Sequence, residues 1–282
     1  MPAKTLIVSE QDLRSVALPQ HGNKYAVISH GYIIDKVSQE LYQAGLEIQS
    51  TTYKATMDQQ VAQGTIKLSY STDKDMGMMF AWCNSYNKQL RFKCAVGGSV
   101  FVCMNGVISS DMMTYSRKHS GSALYDVESN IIHQIANARQ HYNELIQDKE
   151  VLKDVILTPR EKGTILGRLF AEQEILTLTQ TGIVKREMDK PSFNYNCDPD
   201  SAWAMYNHIT LSLKESHPLS YLSDHQKVHN FFIDQYGMLN SGIQKPVQII
   251  EPVQEEVQES VQDFVHNIIE ASTKEVYGVN FM

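Results

Sequence analysis

Four cations occupy outward positions of stretches that alternate like β-strands: Lys54, Lys67, Arg91 and Lys93. Around them Tyr53, Ala55 and Met57, then Ile66, Leu68 and Tyr70, then Leu90, Phe92, Cys94 and Val96 take the inward positions. A side-chain period of two puts residues of one parity on one face of a sheet. Four cations on one face can contact phosphates, and each such contact releases counterions and adds to salt dependence. Tyr86, beside a hairpin signal, is a candidate to stack on a base. Arg117, Lys118 and His119 would extend the track past the sheet. The plainer reading is a solvated sheet face whose Lys and Arg discourage edge-to-edge pairing.

Other chemistry is harder to assemble. The serine-nucleophile G-x-S-x-G, the zinc-protease H-E-x-x-H, the phosphate-loop and the dinucleotide glycine patterns are all absent. The sequence therefore assigns no catalytic residue, no cofactor and no metal. Cys83, Cys94, Cys103 and Cys197 form no C-x-x-C pair and read as small apolar core residues. Asp73 and Asp75 are a carboxylate pair that could hold magnesium, but Lys74 between them reads as a solvated turn. Asn84-Ser85 and Asn105-Gly106 read as turn chemistry. Trp203, Tyr206 and Ile209, spaced by three, read as a core stripe of a helix.

The elements that would position these residues follow from periodicity. Residues 31–45 read as a helix with Ile33, Ile34, Val37, Leu41 and Ala44 on one stripe and Gly45 as its stop. Strands are expected over 47–57, 65–71, 77–83, 89–96 and 99–104, with Gln63-Gly64 and Asn87-Lys88 as turns and Gly97-Gly98 as a break. The run 77–83 is continuously apolar, so it is expected to be buried on both faces. One long helix is expected from Tyr125 to about Asp154, then helices over 161–173, 202–215 and 224–236. The fold class is α+β: a helix, a mostly antiparallel β-meander of about five strands, a long helix and a helical C-terminal part.

Composition is that of a globular chain, 42% hydrophobic and 20% charged over 282 residues. Charge is unevenly spread. Up to Phe170 there are 18 Lys and Arg against 16 Asp and Glu, and from Ala171 onward 7 against 16. A weakly basic front and an acidic back fit nucleic acid in front. The expected division is a core domain over 1–175, a helical extension over 176–243 and an acidic linker or tail over 244–282. That tail is a candidate contact for a protein partner. No apolar run reaches the roughly 20 residues of a membrane helix, so no membrane partner is expected. Residues 1–10 lack a basic stretch followed by an apolar one, so no signal peptide is expected either.

Several short strings together resemble a known family. They are Tyr25-Ala-Val-Ile-Ser-His-Gly31, Asn84-Ser85-Tyr86, Val102-Cys103-Met104-Asn105-Gly106, Lys118-His119-Ser120-Gly121 and Ala202-Trp203-Ala204-Met205-Tyr206-Asn207. Their order resembles the phage and plasmid proteins grouped as domain of unknown function 932, the prophage YfjQ type, over roughly residues 20 to 215. The resemblance implies a phage or mobile-element origin and carries no activity; with no signal peptide expected, the expected location is cytoplasmic, the host cytoplasm if phage-encoded. The order of elements is also similar to single-strand annealing proteins of the Redβ and RecT type. That likeness implies a homo-oligomer binding single-stranded DNA without ATP. The alternative expectation is a protein-interaction factor, either an inhibitor of host defence or a virion-associated component.

Overall fold

The computed structural model describes residues 5–20, 27–103, 105–108 and 123–236. Six strands form one antiparallel sheet in chain order: β1 (Thr5–Val8), β2 (Ile48–Thr56), β3 (Val61–Leu68), β4 (Met76–Ser85), β5 (Lys93–Val100) and β6 (Gly106–Ile108). Helices α1 (Glu10–Ser15) and α2 (His30–Gln43) separate the first two strands. After β6 come α3 (Ala123–Ala136), α4 (Ala138–Asp154), α5 (Pro159–Gly167), α6 (Leu178–Asp189), α7 (Ala202–Ser212) and α8 (Tyr221–Tyr236). A π-turn, Arg168–Glu172, follows α5, and a 3-10 turn, Leu213–Glu215, follows α7. The chain is α+β with a β-meander, as the alternation predicts.

Strand parity sorts the core into two clusters. On the first face Tyr53, Ala55, Ile66, Leu68, Phe80, Trp82, Cys94 and Val96 share one apolar cluster with residues of α2, α3, α4, α7 and α8. The predicted stripe of α2 is there: Ile33, Ile34, Val37 and Leu41 are all buried. Gly45 follows α2 with φ +65°, the left-handed conformation that a helix stop favours. On the second face Val61, Met79, Ala81, Cys83, Ala95 and Ile108 form a smaller cluster with Leu90 and with Tyr221 and Leu222 of α8. Every residue of β4 is buried, because both faces are covered.

Three turn or break signals are overturned, two of them for the same reason. Gln63-Gly64 lies inside β3, and the turn falls at residues 57–60, where Gln59 has φ +54°. There the Asp58 carboxylate accepts from Thr56 Oγ1 at 2.6 Å and from the Gln60 N–H at 3.1 Å. Gly64 is a glycine because Trp82 of the next strand lies over it: a Cβ would sit 2.3 Å from Trp82 Nε1. Gly97-Gly98 does not break the chain either, since β5 runs through it. A Cβ on Gly97 would meet the Val107 carbonyl oxygen, and one on Gly98 would meet Met76 Sδ. Asn84-Ser85 ends β4 rather than forming a turn, and both residues are buried.

Helix expectations need two amendments. The long helix is interrupted at Asn137, whose φ of −96° and ψ of 8° leave the helical region, so α3 and α4 are separate. Helix α1 is additional, and so is α6. The start of α6 carries a capping box, Thr177 with Gln180, a signal legible in the T-x-x-Q spacing. The core makes no distinction between the early and late parts of the chain: Val184, Trp203 and Phe232 share a cluster with Leu13 and Ile33. The expected tail, 244–282, lies outside the described residues.

Candidate functional site

Cross-strand register brings Lys54 and Lys93 into one row of the second face. Lys54 stands opposite Gln63, Gln63 opposite Cys83, and Cys83 opposite Lys93. Lys67 has the same parity, farther along β3 and opposite Met79. Arg91 precedes β5, so alternation does not place it. All four side chains are half-buried.

What lies over this face is the segment from the end of α7 into α8. Lys54 Nζ donates to the Lys214 carbonyl at 3.1 Å, and Lys214 Nζ donates to the Cys103 carbonyl. Lys93 Nζ donates to Ser223 Oγ at 2.5 Å. Burial pushes the pKa values of Lys54, Lys67, Lys93 and Lys214 below the ordinary lysine value. Lys54 and Lys67 add to the lowering at Lys214, which puts the three amines within electrostatic reach of one another. Glu215 is the carboxylate that acts on Lys54, and Asp224 is the one that acts on Lys93. Cys103 also faces this group, but burial raises its thiol to about 11, so it carries no charge at neutral pH. Lys54, Lys67 and Lys214 thus gather on one side of the sheet, with Glu215 beside Lys54. An ammonium has three N–H donors. The carbonyls and the hydroxyl engage one donor of Lys54, Lys93 and Lys214 and neutralise no charge.

Lys214 and Ser223 carry no signal in the sequence reading. They join the lysines only through contacts spanning 160 and 130 positions of chain.

Tyr86 is corrected: it is not offered to a base. Its side chain is 1% exposed, and its ring stacks on His30 with centroids 4.0 Å apart. Its hydroxyl oxygen accepts from the His30 N–H at 2.7 Å. Asn84 Nδ2 donates to the Ile28 carbonyl at 2.9 Å. Together they dock the start of α2 on the end of β4. Ser85 Oγ accepts from the Leu90 N–H at 3.0 Å and donates to the Leu90 carbonyl at 2.8 Å, closing the 86–92 loop. Tyr86→Phe is expected to leave the His30 N–H buried without its acceptor, a cost of about 1–3 kcal/mol. Urea denaturation of both proteins measures it; an unchanged midpoint would show that another acceptor takes over.

Arg117, Lys118 and His119 lie outside the described residues. Asp73 and Asp75 are corrected as well: they form no solvated turn. Asp73 Oδ2 receives Lys149 Nζ at 2.6 Å, and Asp75 Oδ2 receives Lys153 Nζ at 2.6 Å. Asn105 is buried, donating from Nδ2 to the Asn207 carbonyl at 2.9 Å. Trp203, Tyr206 and Ile209 are buried, as the spacing predicts, with Trp203 stacked on Tyr206. Among the described residues no group of three His, Cys, Asp or Glu side chains could hold a metal ion. None of the described helices is long and apolar enough to cross a membrane. No protein-family model, curated protein or solved structure matches the chain.

Proposed function

We propose that the chain binds single-stranded nucleic acid as a non-catalytic accessory protein of a phage-type system, through the second face of its sheet. The observation that supports this reading is the gathering of Lys54, Lys67 and Lys214, whose amines lie within electrostatic reach of one another on one side of the sheet. A phosphate run beside these amines releases its own counterions. Lys93 is a lateral contact, weakened by Asp224. Arg91 and the basic string Arg117, Lys118 and His119 are further contacts in this reading. Annealing by a homo-oligomer, in the cytoplasm and without ATP, is the activity that such a surface would serve.

The test is a fluorescence-polarisation titration of a labelled single-stranded oligonucleotide across a salt series. Binding is expected to weaken with salt. Lys54→Gln and Lys67→Gln are each expected to lower the slope of log K against log salt by about 0.7. Because Lys54 also ties two layers together, circular dichroism must show each variant folded. Absence of binding at micromolar protein and low salt would remove the reading. Light scattering with and without the oligonucleotide reports assembly.

A second reading, a protein-interaction factor, has its own observation. Tyr42 is 86% exposed and, with Leu46 and Ile48, lines a groove of about 570 Å³. The groove adjoins residues 48–52 of β2, which extend beyond the pairing with β1. A protein partner that adds a strand there would hold the chain through this edge, with the acidic tail as a second contact. Indifference to oligonucleotide, together with a stoichiometric partner lost on Tyr42→Glu, would favour it.

A further inference from the structure

The 190–201 connection between α6 and α7 folds back over α7 and forms a half-open cavity of about 400 Å³. Its walls are Pro191, Phe193, Tyr195, Pro199, Ala204 and His208. The connection is fastened at several points. The Glu187 carboxylate accepts from the Ser192 N–H at 2.8 Å and from Ser192 Oγ at 2.6 Å. Asn196, in the left-handed region at φ +54°, donates from Nδ2 to Asp75 at 3.2 Å. The Leu157 N–H donates to the Asp200 carbonyl at 2.8 Å. These ties make the cavity preformed rather than a gap under a loose strap.

One buried polar group on its wall is left without a protein partner at one atom. His208 is 3% exposed, and its Nδ1 has no hydrogen-bond partner among the described residues. Its ring meets Tyr195 edge-on, with centroids 5.6 Å apart. Burial holds the imidazole down to about 4, against the opposing pull of Glu187, so it is neutral at physiological pH. A buried polar atom without a protein partner calls for a specific explanation, and in a walled cavity a ligand supplies one. Aromatic and proline walls, with Ser192, Asn194 and Cys197 beside His208 as the polar points, describe a small-molecule site, the usual form of which is mostly apolar with few orienting groups. Glu187 and Lys162 act on His208 with opposite signs, which suits a neutral ligand.

We infer that this cavity binds a neutral, flat heteroaromatic ring, with Phe193 and Tyr195 as its walls and His208 Nδ1 paired with a polar atom on the ring's edge. A ring that carries donors and acceptors side by side suits either tautomer of the imidazole. The inference stands whether or not the lysine face binds nucleic acid.

Adenine is the probe, titrated into the isotope-labelled full chain and followed by amide chemical shifts. Saturable binding is expected, with the largest shifts within residues 191–208. His208→Phe is expected to weaken it roughly tenfold, the worth of one polar contact with its desolvation. Ala204→Met is expected to abolish it by filling the space. A second arm replaces adenine with a short deoxyadenosine oligomer. Shifts at 191–208 with the free base alone mark a small-molecule site, and shifts there with both mark a pocket that reads a base of a strand. No saturable shifts at millimolar adenine, or shifts centred elsewhere, would overturn the inference. That mapping on the unmodified chain decides the matter even if both variants fail to fold.

Discussion

Lys149→Met is expected to destabilise the fold by about 3–5 kcal/mol, the cost of removing one partner from a buried ion pair. The Lys149 side chain is completely buried on α4. Its ammonium contacts Asp73 at 2.6 Å, Glu150 at 2.8 Å and Asp75 at 3.3 Å. Asp73 has a second duty. Its Oδ1 accepts from the N–H groups of Asp75 at 2.9 Å and Met76 at 3.0 Å, so it shapes the entry to β4. Methionine keeps the bulk and deletes the charge, taking from Asp73 its Lys149 partner and leaving Asp75 and Glu150 to Lys153. Urea denaturation gives the number, and a loss below about 1 kcal/mol would show that water reaches these carboxylates readily. Asp73→Asn added to Lys149→Met is expected to cost less than the two single changes together, because both remove one interaction.

The pH dependence of this network follows from its shifts. Burial alone would raise the Asp75 carboxyl, but Lys153, Asn196 and Lys149 outweigh it and hold the pKa below its ordinary value. A lowered folded-state pKa gives stability that is present above the ordinary carboxylate value and lost as pH falls through the lower one. Burial opposes the Lys149 ammonium, yet Asp73 and Glu150 prevail and raise it. That contribution is complete below the ordinary lysine value and lost as pH rises through the raised one. The network should therefore contribute evenly across the neutral range and fail at both extremes.

Gly97→Ala is expected to cost about 3 kcal/mol, the upper end of ordinary overpacking. The added methyl group would stand 2.3 Å from the Val107 carbonyl oxygen. That obstacle is the backbone of the neighbouring strand, which cannot swing aside as a side chain can. Gly163→Ala is the matched control. It lies in α5 with nothing within 4 Å of the new methyl group, and helix propensity makes it neutral or stabilising by up to about 1 kcal/mol. A thermal melt of the two variants beside the parent separates them. Equal melting temperatures would mean that β6 shifts freely against β5.

These glycines also mark where reading the sequence fell short. Parity worked inside the strands: Ile66 and Leu68 face one cluster while Lys54, Lys67 and Lys93 take the other side, whereas Leu90, before β5, joins the second cluster and Met57, past the end of β2, is exposed. Glycine normally punctuates a chain, and at Gly45 it does. At Gly64 and Gly97 it instead makes room for Trp82 and for a neighbouring strand, a need that exists only once distant segments have met. Asn137 interrupts a helix whose apolar stripe reads as continuous, because a stripe records burial and not backbone angles. β1 is four residues of an edge, too short for a period to show. As for the candidate site, the lysines were legible as a face. Their cover was not, since nothing local tells that Lys214 and Ser223 arrive from the far side of the sequence to lie on it. Tyr86 was misread because its proximity to a loop said nothing of His30 stacking against it.

The order in which the chain is made gives the second face a particular vulnerability. A meander pairs each strand with the next, so the sheet can assemble as it leaves the ribosome. Its second face, with Val61, Met79, Ala81, Cys83, Ala95 and Ile108, must then wait for Tyr221 and Leu222. Until more than a hundred further residues have been translated, that greasy surface has nothing to close it, and such surfaces draw chaperones or neighbouring nascent chains. A premature stop codon anywhere ahead of α8 would release a half-clad sheet, a product destined for the insoluble fraction.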